Sequence, residues 1–305
     1  MAKTIRIGTR DSELALWQAH TVQRKLEALG YDTELISVKS TGDLILDKPL
    51  YELGITGIFT KTLDVAMING TVDIAVHSMK DVPTKLPQGI IQAAVLERAA
   101  SEDIFVFRDG KNADDFSAKT TIATGSLRRK AQWLNRYPNH QVVDLRGNVN
   151  TRLQKVADSD WTGAIFAKAG LERINLKPEN HIVLDWMIPA PAQGAMVIAA
   201  MQNDTYSREA CAQLNHADSA LATYVEREFL STLEGGCTAP IGAYAEIKEN
   251  RIYFKGALFS LDGSEKMEIE ESVPVSECRN FGTLCALKIL EGGGRALMEA
   301  IKKEL

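Results

Sequence analysis

Thr4-Ile5-Arg6-Ile7-Gly8-Thr9-Arg10-Asp11-Ser12 is the stretch that decides the fold class. Residues 4–8 alternate as a strand, and Asp11-Ser12 offers an N-cap. Ala15, Ala19, Val22, Leu26 and Leu29 then recur at helical spacing until Gly30 closes the run. Leu35-Ile36-Ser37-Val38 is a second strand, Thr60 to Asn69 a second helix, and Ile74-Ala75-Val76 a short buried strand running into His77-Ser78-Met79-Lys80-Asp81. This β-α-β-α-β rhythm predicts an α/β unit with a mainly parallel sheet flanked by helices.

The rhythm restarts downstream. Ile104 to Phe107 and Thr121 to Ala123 read as strands, Leu127 to Asn135 as a helix, Gln141 to Leu145 as a strand, Val149 to Ala157 as a helix and Gly163 to Ala167 as a strand. Two α/β units therefore follow one another, with a junction near Ala99 to Asp103. Ala195-Met196-Val197-Ile198-Ala199 is one more strand, which the pattern alone leaves open to either unit. From Ala243 the texture changes to three strand-like runs, Ala243 to Ile247, Arg251 to Leu258 and Lys266 to Glu271, with turns at Asn250 and Asp262-Gly263. Helical stretches around Ser276 to Leu290 and Arg295 to Leu305 follow, separated by Gly292-Gly293-Gly294, which reads as a flexible break. The expected division is residues 1–99 with about 195–216 as one α/β domain, 100–194 as a second, and 217–305 as a small C-terminal α+β domain.

With 305 residues, 45% of them hydrophobic and 25% charged, the chain is an ordinary globular protein of two or three domains. A formal net charge of −5 gives no general reason to bind nucleic acid, so any anion site must come from local arginine clusters. No apolar run approaches the ~20 residues that cross a bilayer. Met1 to Ile7 passes into a strand without an apolar signal region. The 4 cysteines are scattered, without CxxC spacing, and support neither a disulfide framework nor a zinc or dithiol motif. The expectation is a cytoplasmic protein with no nucleic-acid or membrane partner and no metal.

Four polar clusters fall where α/β sheets place ligands, at the carboxyl ends of strands. They are Gly8-Thr9-Arg10-Asp11-Ser12, His77 to Pro83, Thr124-Gly125-Ser126-Leu127-Arg128-Arg129, and Leu145-Arg146-Gly147-Asn148-Val149-Asn150-Thr151-Arg152. The last two open helices, whose N-termini carry unpaired N–H groups and partial positive charge. Arg128, Arg129, Arg146 and Arg152 add positive charge to positive potential, an arrangement that an anion relieves. A single pair would read as solvated helix surface; four at matching strand ends point to a polyanion site. Asp81 is the odd member, a carboxylate at a strand end in a neighbourhood otherwise built for anions. It suits an ion pair with Lys80 or an arginine, or alternatively a group that stabilises a cationic intermediate and moves protons. His77 reads as a structural hydrogen-bonding residue rather than a base.

Leu233-Glu234-Gly235-Gly236-Cys237-Thr238-Ala239-Pro240-Ile241-Gly242 holds the most unusual cysteine. Two glycines before it and a proline after it place the thiol on a sharp turn between helix and strand. A buried structural thiol and a covalent attachment point both fit that setting. Cys211, Cys278 and Cys285 lie in helical patterns and read as structural. The two-lobed pattern alone also admits an organic-anion-binding protein, and Cys237 with His77 admits a cysteine nucleophile.

Val76 to Pro83, Gly125 to Arg129, Leu145 to Leu153 and Gly235 to Ala245, read as VHSMKDVP, GSLRR, LRGNVNTRL and GGCTAPIGAYA, together resemble the porphobilinogen deaminases (hydroxymethylbilane synthases) of haem and porphyrin biosynthesis. The resemblance spans nearly the whole chain. It implies two α/β domains like those of type II periplasmic binding proteins plus the C-terminal domain, and a transferase acting as a monomer. It implies a dipyrromethane cofactor held by a thioether to Cys237. Four porphobilinogen molecules would be joined head to tail with loss of ammonia, and hydroxymethylbilane released by hydrolysis. Asp81 would be the catalytic acid group. Lys80, Asp81, Ser126, Arg128, Arg129, Arg146 and Gly147 would surround the cofactor. Arg10, Ser12, Arg146, Arg152, Arg173 and Gln193 would bind the substrate, with Asp43 in a closing loop. Two departures from the family pattern are Thr56, where a basic residue is usual, and Ala192, where glycine is common.

Overall fold

A computed structural model describes residues 3–38, 60–116, 119–233 and 239–305. Asp43, Thr56 and Cys237 lie outside the described residues. Among those described, the chain divides into two compact units. One holds the residues before Ala100 with Gly194–Leu221; the other holds Ala100–Gln193 with Ala222–Leu305.

The first unit is built on β1 (Ile5–Thr9), β2 (Thr33–Ser37), β3 (Ile74–Ser78), β4 (Ile90–Val95) and β10 (Met196–Met201), in the order β2-β1-β3-β10-β4. β1 pairs parallel with β2 and β3, whereas β10 runs antiparallel to both β3 and β4. The sheet is therefore mixed, not mainly parallel, and β10 belongs to this first sheet. Its run Met196-Val197-Ile198-Ala199-Ala200 is buried throughout, as a central strand covered on both faces requires. Helix α1 (Glu13–Ala28) covers one face through Ala15, Gln18, Ala19, Val22 and Leu26. It ends in a Schellman turn, with Gly30 at φ 87° and the Tyr31 N–H donating to the Leu26 carbonyl at 3.1 Å. Helix α2 (Lys61–Ile68) packs Leu63, Ala66 and Met67 on the other face, against Ala75 and Ala199.

The second unit repeats this plan. Strands β5 (Asp103–Phe107), β6 (Thr121–Ala123), β7 (Gln141–Val143), β8 (Gly163–Ala167) and β9 (His181–Val183) stand in the order β7-β6-β8-β5-β9. β6 is parallel to β7 and β8, and β5 is antiparallel to β8 and β9. Strand for strand, β7, β6, β8, β5 and β9 correspond to β2, β1, β3, β10 and β4. Helices α3 (Leu127–Arg136), α4 (Val149–Asp158) and α5 (Lys168–Arg173) follow β6, β7 and β8. Trp133 of α3 is fully buried and stacks on Phe105 of β5 with centroids 5.2 Å apart.

Helices α6 (Thr205–Ala212) and α7 (Ala217–Thr232) come next, the unit division falling within α7. The remaining sheet is an antiparallel meander of β11 (Ile241–Lys248), β12 (Arg251–Phe259) and β13 (Lys266–Pro274). Glu249 and Asn250 both take positive φ in the two-residue turn between β11 and β12. Helix α8 (Phe281–Ile289) starts later than the spacing predicts, because Val275–Glu277 forms a short 3-10 turn and Asn280 is left-handed at φ 59°. Cys278 thus lies outside a helix and is half-buried. Leu290–Gly294 is a wide turn, kinked at Gly293 with φ 114°, that joins α8 to α9 (Arg295–Glu304); the glycines make a shaped kink. Phe229, Phe254 and Phe281 form the apolar centre of this part, with centroids 5.1 and 6.0 Å apart along the series.

Gly163 sits between β5 and β6, and a Cβ there would strike the Val106 carbonyl and the Phe105 ring. Overpacking of that kind costs about 2–3 kcal/mol. Gly163→Ala is expected to lower the melting midpoint by about 5–10 °C. An unchanged midpoint in a thermal melt would contradict the packing described.

Candidate active site

In the first unit, Arg10 and Ser12 leave the carboxyl end of β1, and Lys80 and Asp81 leave the carboxyl end of its parallel neighbour β3. The four residues thus share one rim. Ser12 caps α1, its Oγ accepting from the Ala15 N–H at 3.4 Å. Lys80 and Asp81 stand on a 3-10 turn, Met79–Asp81. The turn is held from two sides: buried Gln18 donates to Ser78 Oγ at 2.8 Å, and the Met79 N–H donates to the Ala195 carbonyl at 3.0 Å. Asp81 is half-buried.

His77 departs from expectation. It is 6% exposed, and its Nε2 has no hydrogen-bond partner among the described residues. Gly8 and Ala75 are in register, so Arg10 comes level with His77 on the face that carries α2. Burial, reinforced by the Arg10 charge, pushes the imidazole down to about 4. It is a buried, neutral ring, and its Nε2 makes no structural hydrogen bond among the described residues.

In the second unit, the predicted residues again follow carboxyl ends of parallel neighbours: Ser126, Arg128 and Arg129 after β6, Arg146, Gly147 and Arg152 after β7, and Arg173 on α5 after β8. Ser126 caps α3 and Asn148 caps α4, and neither helix has an acidic residue in its first turn. The two loops are pressed together, since a Cβ on Gly125 would lie 2.5 Å from the Leu145 carbonyl oxygen. Gly147 has φ 112° and would clash with Thr151 if it bore a side chain. Arg152 Nε donates to the Gly147 carbonyl at 2.8 Å, and Arg146 is half-buried beside it. Burial pushes the Arg173 guanidinium down to about 10, so it stays charged at neutral pH.

Arg128 and Arg129 are not on the surface; they are 4% and 6% exposed. Both bind Asp103, the first residue of β5, which is wholly buried. Arg128 Nη1 lies 2.8 Å from Oδ2 and Arg129 Nη2 2.7 Å from Oδ1. Burial alone would raise this carboxyl, but the two guanidinium charges outweigh it and hold the group well below the ordinary carboxylate range. Gln193, expected at the substrate, is 1% exposed and directs its amide nitrogen to Asp103 Oδ1 (2.9 Å) and the Ser101 carbonyl (2.8 Å). Gln132 grips Ile188 from both sides, and the Ile188 carbonyl also accepts from Arg128 Nη1 at 2.7 Å.

Described residues on either side of Cys237 in the chain are tied down. Leu233 is buried at the end of α7, and the Phe259 N–H donates to the Pro240 carbonyl. Fully buried Glu226 accepts from the N–H groups of Ala192 (2.6 Å) and Ala245 (2.7 Å). Ala192 takes the left-handed conformation, φ 62°, where glycine would be easier. Cys211 and Cys285 are buried, which pushes each thiol up to about 12. Sequence reading missed Asp103, Gln132, Gln18 and Glu226. Asp103 left one signal, a carboxylate opening the otherwise apolar strand Asp103-Ile104-Phe105-Val106-Phe107.

The family model described as porphobilinogen deaminase, dipyromethane cofactor binding domain, matches residues 5–209, and the porphobilinogen deaminase C-terminal domain matches residues 220–291. The chain belongs to the porphobilinogen deaminase family. The chloroplastic porphobilinogen deaminase of Oryza sativa subsp. japonica is 44% identical over 279 residues, covering 88% of this chain and 78% of that protein. The porphobilinogen deaminase of Desulfitobacterium hafniense is 40% identical over 306 residues and 99% of each chain. Among solved structures, the methionine-binding protein MetQ is 13% identical with a TM-score of 0.47, over 73% of this chain and 93% of that one. An ancestral cationic amino acid solute binding protein gives 13% and 0.43, over 69% and 87%. The reaction is that of a porphobilinogen deaminase, a transferase that polymerises porphobilinogen in tetrapyrrole biosynthesis, with dipyrromethane as cofactor. Family membership favours the enzyme over an anion-binding protein.

The buried neutral His77 makes stability acid-sensitive. Its folded value of about 4 lies below the ordinary 6.5, so the unfolded chain binds more protons between these values and stability falls as pH drops through that window. The full loss amounts to about 3 kcal/mol. His77→Gln is expected to narrow the gap between melting midpoints at about pH 7 and about pH 4.5; an unchanged gap would place the acid sensitivity elsewhere.

Proposed function

We propose that the second unit holds the dipyrromethane by its carboxylates and that Asp81 in the first unit manages the proton and the positive charge of each coupling. The observation that carries this reading is the guanidinium cluster of Arg128 and Arg129 at the start of α3. Arg128 Nε is buried without an acceptor among the described residues, in a site whose helix N-termini lack acidic residues. Each pyrrole of a dipyrromethane bears acetate and propionate, and such a donor set fits them. Cys237 would hold the group through a thioether, and Lys80, Asp81, Ser126, Arg128, Arg129, Arg146 and Gly147 would line it. When bound, it supplies the pyrrole carbon to which the first porphobilinogen is joined.

The chain's own residues do the rest. Ser126 Oγ accepts from the Arg129 N–H, which leaves the hydroxyl proton for a carboxylate. Arg10, Ser12, Arg146, Arg152 and Arg173 bind the substrate's carboxylates and orient it. Asp81 hydrogen-bonds the departing ammonia, offsets the positive charge left on the substrate, and takes the proton released when the new bond forms. No helix among the described residues is long and apolar enough to cross a membrane. The reading includes a cytoplasmic monomer without a nucleic-acid or membrane partner, and a net charge of −5 gives no general attraction to nucleic acid. The three-stranded sheet shares no strand with either five-stranded one, which supports the three-domain division.

Intact-mass spectrometry tests the reading. The isolated protein is expected to be heavier than its sequence by one dipyrromethane, and Cys237→Ser to lack that increment; a wild-type mass equal to the sequence mass, with no gain on incubation with porphobilinogen, would overturn it. Asp81→Asn is expected to keep the adduct and lose about 100-fold or more in ammonia release, the usual scale of acid–base assistance. Near-normal turnover would remove Asp81 from the mechanism.

A further inference from the structure

We infer that Asp103 is a positioning residue for the anion site, one that commits Arg129 to the protein and leaves Arg128 as the guanidinium with donors to spend on a ligand carboxylate. The inference rests on the proposed function and deepens it. The two adjacent arginines look interchangeable in sequence, but their hydrogen bonds differ. Arg129 places Nε and Nη2 on Asp103 Oδ1, at 3.0 and 2.7 Å, and Nη1 on the Ile165 carbonyl at 3.1 Å. All three nitrogens of that fork are engaged. Arg128 uses one nitrogen, Nη1, on the Ile188 carbonyl and against Asp103 Oδ2. Its Nε is buried and has no acceptor among the described residues.

Charge points the same way. Two guanidinium groups and one carboxylate leave one positive charge surplus within this trio, enough to match one ligand carboxylate. Without Asp103, two buried cations would face each other across a desolvated space, and their side chains would be driven apart or toward water. Asp103 is itself fixed. Oδ1 receives Gln193 Nε2 as well as the two Arg129 donors, and Gln132 holds the Ile188 backbone that Arg128 binds. Arg128 is thus ordered when the chain folds rather than when the ligand arrives, which is how preorganisation improves binding. Gln193 acts through Asp103 in this scheme, as a second positioning residue.

The experiment compares Asp103→Asn, Gln193→Leu and Ile182→Ala with the wild type. Ile182 packs on the aromatic side of the same sheet and takes no part in the site. Each protein is produced in cells that make no porphobilinogen, so that it is isolated without the adduct, and is then incubated with porphobilinogen while the dipyrromethane-bearing fraction is followed by intact mass beside its melting midpoint. The wild type and Ile182→Ala are expected to load fully, the latter despite a lowered midpoint. Asp103→Asn is expected to load at least tenfold more slowly, and Gln193→Leu several-fold more slowly. Loading of folded Asp103→Asn at the wild-type rate, or no slower than an equally destabilised Ile182→Ala, would overturn the inference. If Asp103→Asn yields no folded protein, Gln193→Leu decides: an unchanged loading rate overturns the inference. A wild type that never acquires an adduct would sink the proposed function itself, an outcome distinct from a loaded wild type with an indifferent Asp103→Asn.

Discussion

One buried carboxylate, Asp103, organises the second unit. It lies at zero exposure at the head of β5 and receives donors from Arg128 and Arg129 of α3 and from Gln193. An isolated ion in that position would cost several kcal/mol, and two unpaired guanidinium groups would cost more. The trio is tolerable only as a trio. It fixes α3, which begins with Ser126 as its cap, and α3 in turn fixes the crossover residues through the Gln132–Ile188 pair. The proposed anion site would thus follow from satisfying a buried charge, because the same contacts that neutralise Asp103 fix Arg128.

The matching strand orders give this site its counterpart in the other unit. The loop after β1 corresponds to the loop after β6, and the turn after β3 to the start of α5 after β8. Arg10 and Ser12 therefore stand in topologically equivalent places to Ser126, Arg128 and Arg129, and Lys80 and Asp81 in a place equivalent to the first turn of α5, the helix that ends at Arg173. Each sheet also takes its antiparallel strand from just beyond a passage between units: β5 follows the first passage and β10 the return. The order of pairing therefore depends on residues distant in the chain. β10 closes the first sheet only after the second sheet's strands have been made, a long-range pairing of the kind that slows folding.

Much of this was legible in the sequence because it is local. The cap at Ser12, the Gly30 stop and the strand runs of β11 to β13 with their turns each depend on a few neighbouring residues, and each appears where the pattern puts it. The antiparallel placement of β10 was not legible, since a fully apolar run carries no sign of its direction. The duplication of topology was invisible for the same reason: strand order leaves no residue-level repeat. Arg128 and Arg129 were recognised by their position at a helix start, yet their burial was not. Their counter-charge lies 25 or more residues away in a strand whose own pattern reads as pure core. The tie of Gln193 to Asp103 was not legible either, because the two residues are 90 positions apart in the chain.

His77 and Asp103 show how the two units solve opposite electrostatic problems with burial. In the second unit a desolvated carboxylate stays charged because two guanidinium groups face it. In the first, burial keeps an imidazole neutral, and the Arg10 charge beside it adds to the effect. A neutral ring there keeps the rim occupied by Arg10, Lys80 and Asp81 free of an additional cation as pH falls toward 5. That matters for chemistry in which Asp81 must offset positive charge on a substrate, since each added cation would compete for the same carboxylate. The chain carries a net negative charge overall, but its ionisable groups are sorted locally: arginines gather after β6 and β7 in the second unit, and Asp81 stands beside Lys80 at the first unit's rim.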